Sequence, residues 1–440
     1  MQRSISPAEV GGGLRAPSSK SSMQRAVACA ALAKGRSALR NPSFSADSLA
    51  ALGVVEALGA QVERRAELVL VHGGILDESR SASLRAPGGR RLISCGESGL
   101  CIRMFAPIAA LLPGETVLEA EGSLRSRPLA MVDGTLEDLG GSATSSSGLP
   151  PVRVRGPLRG GRARIDARSS SQFVTGLLIA LPLAPEDSLL EAEGLVSSGY
   201  VDLTIDTMRA FGVEVSRTKA DNGVSPAPLF EIGGGRSYAP ADFEVEGDWS
   251  GAAFLLVAAA IAARRRPLEV FGLERSSRQP DRAVLAALSE AGAVVEAAEG
   301  SISVRRGRLD PFVFDARDCP DLVPPLVALA SVCDGVSRIA GVSRLRAKES
   351  DRAAALSLEF GRIGVEVAVD GDELVVRGRA GRGGAPRGGR VDAHGDHRMA
   401  MAAAVAGLAS VDGVTIDGAE CVAKSWPGFF EDLEQIRIPL

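Results

Sequence analysis

The stretch "GDWSGAAFLLVAAAI", Gly247 to Ile261, starts at a glycine and an aspartate and then runs without a charge to Ala263. A helix apolar on every side has no face to offer to water, so it must lie inside a protein. It is also too short to cross a bilayer. Five other stretches open at a polar or glycine-bearing turn and then become apolar: "SSKSSMQRAV" from Ser18, "GESGLCIRMF" from Gly96, "SSSQFVTGLL" from Ser169, "DCPDLVPPLV" from Asp318 and "GDHRMAMAAA" from Gly395. With Ser21, Gly99, Ser171, Ser250, Asp321 and His397 as marks, the steps are 78, 72, 79, 71 and 76 residues.

A second series runs in phase with the first. "EALGAQV", "EDLGGSA", "RAFGVEV", "SEAGAVV" and "GRIGVEV" each read as a helix end, a glycine and a strand-like stretch, with Gly59, Gly140, Gly212, Gly292 and Gly364 spaced by 81, 72, 80 and 72 residues. Glycine just past a helix is the usual left-handed cap, so a single match carries little and the near-equal spacing carries the inference. Six units of roughly 73 residues tile the 440-residue chain. Each is predicted to hold one buried helix, one amphipathic helix and several short strands. Six interior helices predict an α/β protein of two lobes, each with three buried helices wrapped by sheet and outer helices. "GGGRSYAPADFEVEGD", Gly233 to Asp248, is the candidate linker by its Gly and Pro content.

Composition narrows the function. A hydrophobic content of 45%, 24% charged residues and a net charge of −4 describe a globular chain with no general attraction to nucleic acid or anionic lipid. The six cysteines form no CxxC pair and have no histidines at finger spacing, against structural zinc and against a disulfide scaffold. Reduced thiols and a cytoplasmic location are expected. The run Ala26 to Ala33 imitates a signal-peptide core, but Glu9 and a glycine tract precede it.

The buried helices start at polar groups: Lys20, Ser21, Arg25, Arg103, Ser170, Ser171, Gln172, Asp321, His397 and Arg398. A helix N-terminus presents unpaired N–H groups and partial positive charge, so it receives anions. Serine is also the ordinary N-cap, and the inference rests on the set rather than on any one start. Gly96 to Gly99 forms a turn through which backbone can approach a ligand. "GSLRSRP" adds Arg125 and Arg127, with Pro128 expected to begin a helix. "RLRAKESDR" packs Lys348, Glu349, Asp351 and Arg352 together, and "AKSWPGFF" supplies Lys424. Asp318 and Asp321 fit a capping or a general-base role equally. There is no GxxxxGK[ST] phosphate loop, and "GRAGRGGAPRGG" at 378–389 lacks a strand–turn–helix context.

The motifs "SSKSSMQRA", "SRP", "SSSQF", "VSSGYVDLT", "GDWSGAAFLLVAAAI", "DCPDLVP", "LRAKESDR", "DHRMAM" and "AKSWP", in this order, resemble those of the EPSP synthase family of enolpyruvyl transferases. The resemblance covers about Arg15 to Phe430. It implies an inside-out α/β barrel in each of two lobes, three βαβαββ units apiece around buried parallel helices, with the active site between them. By the same resemblance the lobes comprise residues 16–241, and 1–15 with 242–440. The implied reaction joins phosphoenolpyruvate to the 5-hydroxyl of shikimate 3-phosphate, releasing phosphate, in a monomer that uses no cofactor and no metal and takes neither nucleic acid nor membrane as partner.

Carried over by position, Lys20, Ser21, Arg25, Ser170, Ser171, Gln172, Ser197, Tyr200, Asp321 and Lys348 would hold shikimate 3-phosphate. Lys20, Gly99, Arg127, Gln172, Arg352, Arg398 and Lys424 would hold phosphoenolpyruvate. Asp321 is assigned to the 5-hydroxyl and Glu349 to the carbon proton, with Lys20 and His397 assisting. Joining an alcohol to an enol phosphate needs one group to take the hydroxyl proton and another to give and recover a carbon proton, which two carboxylates in different environments suit.

This chain departs from the family pattern at Leu100, where a threonine is usual, and at Met104, where a proline is usual; both changes are expected to alter acceptance of glyphosate, the family's inhibitor. Glu97 puts an acid beside an anion loop, and Arg344 stands where many members carry a small polar residue. Three rival readings stay open on sequence alone. The sister transferase of UDP-N-acetylglucosamine uses a Lys-Asn pair and a loop cysteine, where this chain has Lys20-Ser21 and a cysteine-free "EAEGSLRSRP". A noncatalytic anion-binding protein would have no use for Asp321 and Glu349. The tract 377–390 has five arginines but no aromatic residue to stack on RNA. Two lobes joined by two crossings also predict closure on ligand.

Overall fold

The computed structural model describes residues 1–77, 90–220, 227–378 and 385–438. The chain divides into two compact units, one of residues 20–245 and one of residues 1–19 with 246–440.

In the unit of residues 20–245 the helices are α1 (Lys20–Leu32), α2 (Ala46–Ala57), α3 (Gly99–Ala109), α4 (Gln172–Ala180) and α5 (Ser198–Ala210). α1, α3 and α4 are the interior ones, with every α3 residue buried. Gly176 lets α4 lie directly on α3, since a β-carbon there would stand 2.5 Å from the Met104 carbonyl oxygen. Three four-stranded sheets enclose them, each built as a parallel pair followed by two antiparallel strands. Arg90–Ser94 runs parallel to Gly114–Glu119, which pairs antiparallel with Leu149–Gly156 and that strand with Ser142–Ser146. Gly161–Asp166 plays the parallel part for Ser188–Glu193, and Asp242–Glu244 plays it for Arg36–Arg40.

In the other unit the helices are α6 (Trp249–Ala262), α7 (Val284–Glu290), α8 (Val323–Ala330), α9 (Arg352–Arg362), α10 (His397–Leu408) and α11 (Phe429–Gln435). Every residue of α6, α8 and α10 is buried. Gly12–Arg15 runs parallel to Leu268–Phe271, and Gln2–Ile5 pairs antiparallel with Val414–Asp417, so the first residues of the chain complete sheets otherwise made by its second half. The interior helices start where the alternation of polar turn and apolar run places them, and side chains cap three of them: Ser98 on α3, Asp248 on α6 and Asp396 on α10. Gly59, Gly140, Gly212, Gly292 and Gly364 all lie in the left-handed region, with φ from +81° to +107°.

Three expectations need correction. The crossings lie at 19/20 and 245/246 rather than near Arg15 and Asp242. Ala16 and Ser19 still donate backbone hydrogen bonds to Phe271 and Glu246, and Asp242–Glu244 is a strand beside Arg36–Arg40. The 245/246 boundary falls inside the candidate linker Gly233–Asp248, in which Tyr238 is buried and its hydroxyl donates to the Ile179 carbonyl at 2.9 Å. Finally, the second repeat has no amphipathic α-helix and Pro128 begins none. Only 3-10 turns, Ala130–Val132 and Glu137–Leu139, occupy that place, separated by Gly134 at φ +74° and held by Asp133, which accepts from the backbone and hydroxyl of Ser145. Residues 379–384 of the Gly/Arg tract fall outside the described residues. Among the described residues no helix is long and apolar enough to cross a membrane, and no group of His, Cys, Asp and Glu is arranged to hold a metal ion.

Candidate active site

Each unit collects part of the expected constellation. In the unit of residues 20–245 the starts of α1, α4 and α5 meet at Arg25, whose side chain is buried from the first turns of three elements. Its Nε donates to Thr204 Oγ1 at 2.8 Å, Nη1 to the Ser21 carbonyl at 2.7 Å, and Nη2 to the Tyr200 carbonyl at 3.2 Å and Thr175 Oγ1 at 3.4 Å. The guanidinium carbon also lies 5.6 Å from the Tyr200 ring centre. These hydroxyl and carbonyl partners fix the orientation of the fork. Arg25 is thus in contact with Ser21, Tyr200, Thr175 and Thr204.

A second cluster forms where α3 begins. Arg103 Nη1 donates to the Gly99 carbonyl and to Gln172 Oε1, both at 3.0 Å, and Nη2 to the Pro128 carbonyl at 2.7 Å. Gly99 has no room for a side chain, because a β-carbon would stand 2.7 Å from Arg127 Nη1 and 2.8 Å from Arg103 Nη1. Gly99, Arg127 and Gln172 are therefore one local group, with Arg103 as its bracket. Glu97 does not point an acid into it. Its Oε2 accepts from the Ser123 backbone at 3.0 Å and hydroxyl at 2.9 Å, pinning the Gly122–Ser126 turn that leads to Arg127. Gly122, at φ +46°, is the position that makes room for Glu97. Leu100 and Met104 are both buried.

Lys20 Nζ sits 2.8 Å from Asp47 Oδ2, a carboxylate on the first turn of α2. Ser170 accepts from the Gln172 backbone at 3.2 Å. Ser171 is buried before α4 without capping it, and Ser197 holds a left-handed backbone, φ +52°, before α5.

The other unit gathers Asp321, Lys348, Glu349, Arg352 and Arg398. Arg352, at the start of α9, donates from Nη1 to Asp321 Oδ1 at 2.8 Å, from Nη2 to Glu349 Oε2 at 2.6 Å and from Nε to Asp396 Oδ2 at 2.7 Å. Arg398 reaches Asp321 Oδ2 at 3.2 Å, and Lys348 Nζ reaches Asp321 Oδ1 at 3.4 Å. Three cations therefore face three carboxylates. Burial alone would lower the Arg352 guanidinium, but Asp396, Glu349 and Asp321 outweigh it and raise the group instead. Lys348 goes the other way: burial dominates the attraction of Asp321 and brings its ammonium down from 10.5 to about 8. Asp321 keeps 23% and Lys348 20% of its side-chain surface open, whereas Arg352 and Asp396 are closed off. His397 opens α10, buried, with Nδ1 3.9 Å from Asp396 Oδ1. Lys424 is buried at the end of the Ala419–Lys424 turn. Arg344 donates to the Arg317 carbonyl at 2.8 Å.

The chain matches the family model for EPSP synthase (3-phosphoshikimate 1-carboxyvinyltransferase) over residues 5–433. The chain belongs to the EPSP synthase family. It is 37% identical to the 3-phosphoshikimate 1-carboxyvinyltransferase of Methanocorpusculum labreanum over 99% of this chain and 98% of that one. It is 39% identical to that of Aeropyrum pernix over 98% and 95%. A solved EPSP synthase from Acinetobacter baumannii superposes on 100% of this chain and 98% of its own with a TM-score of 0.81 at 25% identity. The two-lobed α/β fold expected from the sequence is that of the EPSP synthase family.

Sequence reasoning gave no role to Asp47, Thr175, Thr204 or Asp396, and named Arg103 only as one of the polar groups at the helix starts. Asp396 reads in sequence as a plain helix cap, which it also is, accepting from the Arg398 backbone at 3.0 Å. Asp47 reads as an ordinary acidic residue in a helix's first turn. The available signal was the cation each faces, 44 residues from Asp396 and 27 from Asp47.

Proposed function

We propose that this chain transfers the enolpyruvyl (carboxyvinyl) group of phosphoenolpyruvate to the 5-hydroxyl of shikimate 3-phosphate, as a cytoplasmic monomer of the route to chorismate and the aromatic amino acids. Arg25, with Ser21, Ser170, Ser171, Ser197 and Tyr200 around it, takes the phosphate of shikimate 3-phosphate. The planar fork of a guanidinium donates parallel hydrogen bonds to phosphate oxygens, which suits Arg25 to this role. Lys20, Arg127, Gln172, the Gly99 backbone, Arg352, Arg398 and Lys424 take phosphoenolpyruvate.

Asp321 accepts the 5-hydroxyl proton as the oxygen bonds to C2 of phosphoenolpyruvate, while Glu349 delivers a proton to the methylene carbon. In the collapse the C2–O bond to phosphate breaks and Glu349 recovers a methyl proton. The hydroxyl proton departs with the phosphate, and Lys20 and Lys348 offset the charge that develops. Glu349 has to be protonated to begin, yet here it is paired with Arg352. The substrate carboxylate competes for that guanidinium, and a carboxyl released from its cation holds a proton more readily.

The observation that carries this reading is the joint setting of Asp321 and Glu349 on Arg352, with Lys348 at hand: two carboxylates sharing one cation but differing in exposure, 23% against 8%. A receptor for anions has no use for such a pair. Incubation with phosphoenolpyruvate and shikimate 3-phosphate is expected to release one phosphate per carboxyvinylated product, read by mass. Ligand binding without product would leave a noncatalytic anion receptor, and product only with UDP-N-acetylglucosamine would assign the sister activity.

A further inference from the structure

Seven residues after Arg352 the same helix, α9, carries Glu359, whose side chain is only 2% exposed. Arg362 Nη1 donates to both of its oxygens, at 3.0 and 2.9 Å. Its other two partners come from the segment that leads into α10: the Asp392 backbone N–H at 3.0 Å and His394 Nε2 at 2.8 Å. None of these groups takes part in the chemistry above, although a buried carboxylate is costly unless it is fully partnered.

What Glu359 holds is an unusual turn. His394 and Gly395 lie one after the other in the left-handed region, at φ +52° and +66°, and the turn closes with the Asp396 N–H donating to the Ala393 carbonyl at 2.8 Å. A left-handed residue with a side chain persists when its surroundings over-determine it. Here they do so twice, through Glu359 on the imidazole and through Asp392 Oδ1 on the His394 N–H, at 2.6 Å. Immediately after the turn, Asp396 receives Arg352 Nε, the Ser350 hydroxyl at 3.1 Å and the Arg398 backbone. α9 and the start of α10 are therefore stitched together at two places, by Asp396 on Arg352 and by Glu359 on His394.

We propose that Glu359 and His394 are a positioning pair, which fixes the Ala393–Asp396 turn against α9 and through it sets the aim of Arg352 and Arg398 at the phosphoenolpyruvate anion. This rests on the function proposed above. Neither residue touches substrate. The pair acts chiefly on phosphoenolpyruvate, because the proposed receptors for the phosphate of shikimate 3-phosphate around Arg25 belong to a different unit and only Asp321, which meets Arg352 and Arg398, links the pair to that substrate.

The test compares His394→Gly, which accepts the left-handed backbone but lacks the imidazole, with His394→Gln, which restores a side chain able to reach Glu359. In the glycine variant KM for phosphoenolpyruvate is expected to rise between about tenfold and a hundredfold, the scale of a displaced binding group. KM for shikimate 3-phosphate rises much less, and the glutamine variant recovers most of the loss. Amide exchange at Asp396 to Met399 is expected to quicken in the glycine variant and to return toward wild type with glutamine. An unchanged KM for phosphoenolpyruvate, or an equal rise for both substrates, overturns the proposal and leaves a simple staple of α9. Should the wild-type protein itself show no turnover, the proposed function fails separately, and exchange then decides the pair: unaltered protection at Asp396 to Met399 overturns it.

Discussion

The two units solve the problem of holding anions with opposite electrostatic designs. Around Arg25 the hydroxyls of Thr204 and Thr175 and the carbonyls of Ser21 and Tyr200 accept from the guanidinium and orient it. Around Arg352 the partners are three carboxylates, and Arg398 and Lys348 also lean on Asp321. In the proposed function the first arrangement receives a phosphate that stays put through the reaction, while in the second an arriving anion competes with carboxylates for Arg352, and a carboxylate so displaced becomes free to move a proton.

This contrast is open to breakage by substitution. Arg352→Met should have the largest effect on the fold, since it takes a cation from three carboxylates, one of them wholly enclosed. Removing one partner of a buried pair costs about 3–5 kcal/mol, readable as a lower denaturant midpoint. Arg25→Gln should cost less stability but more binding, because its neutral partners need it less than the ligand does. Loss of a charged hydrogen-bond donor to a phosphate is worth about 3 kcal/mol, or about a hundredfold in affinity for shikimate 3-phosphate by calorimetry. If Arg25→Gln unfolds the protein as badly as Arg352→Met, or leaves that affinity intact, the contrast is wrong.

The smallest effect sharpens it through pH. Lys348 loses its proton near pH 8 in the free protein, so kcat/KM should fall as pH rises through about 8. The limb in kcat should lie higher, because bound anions favour the ammonium. Lys348→Arg should remove the limb from both profiles. Since burial lowers this ammonium relative to the unfolded chain, the folded state holds fewer protons between about pH 8 and 10.5. Lys348 thus costs stability below pH 8, and the cost is relieved as pH rises through that window.

Much of the architecture was legible because its signals are local. An apolar run behind a polar turn, or a glycine after a helix, needs only its own neighbours to be recognised, and the starts of α1, α3, α4, α6, α8 and α10 lie within two residues of the sequence marks. The missing outer helix of the second repeat was not legible in this way, because its phase with the other repeats masked the break at Gly134. The departures at Leu100 and Met104 fall on buried positions of α3. In the candidate site the cations stood out by type, but their brackets did not. Thr204 lies 179 residues from Arg25 and Asp396 lies 44 from Arg352, and a threonine within a helix or an aspartate before one has a commonplace local explanation.

The most direct test of the division between binding and chemistry is the rate of phosphate release by Asp321→Asn at saturating phosphoenolpyruvate and shikimate 3-phosphate. Asparagine keeps the shape and an acceptor for Arg352 but cannot take the hydroxyl proton, and loss of a general base costs between about 10² and 10⁴ in rate. The account predicts a fall of that size at full occupancy of the Arg25 receptor. A rate equal to that of the unaltered chain would contradict it.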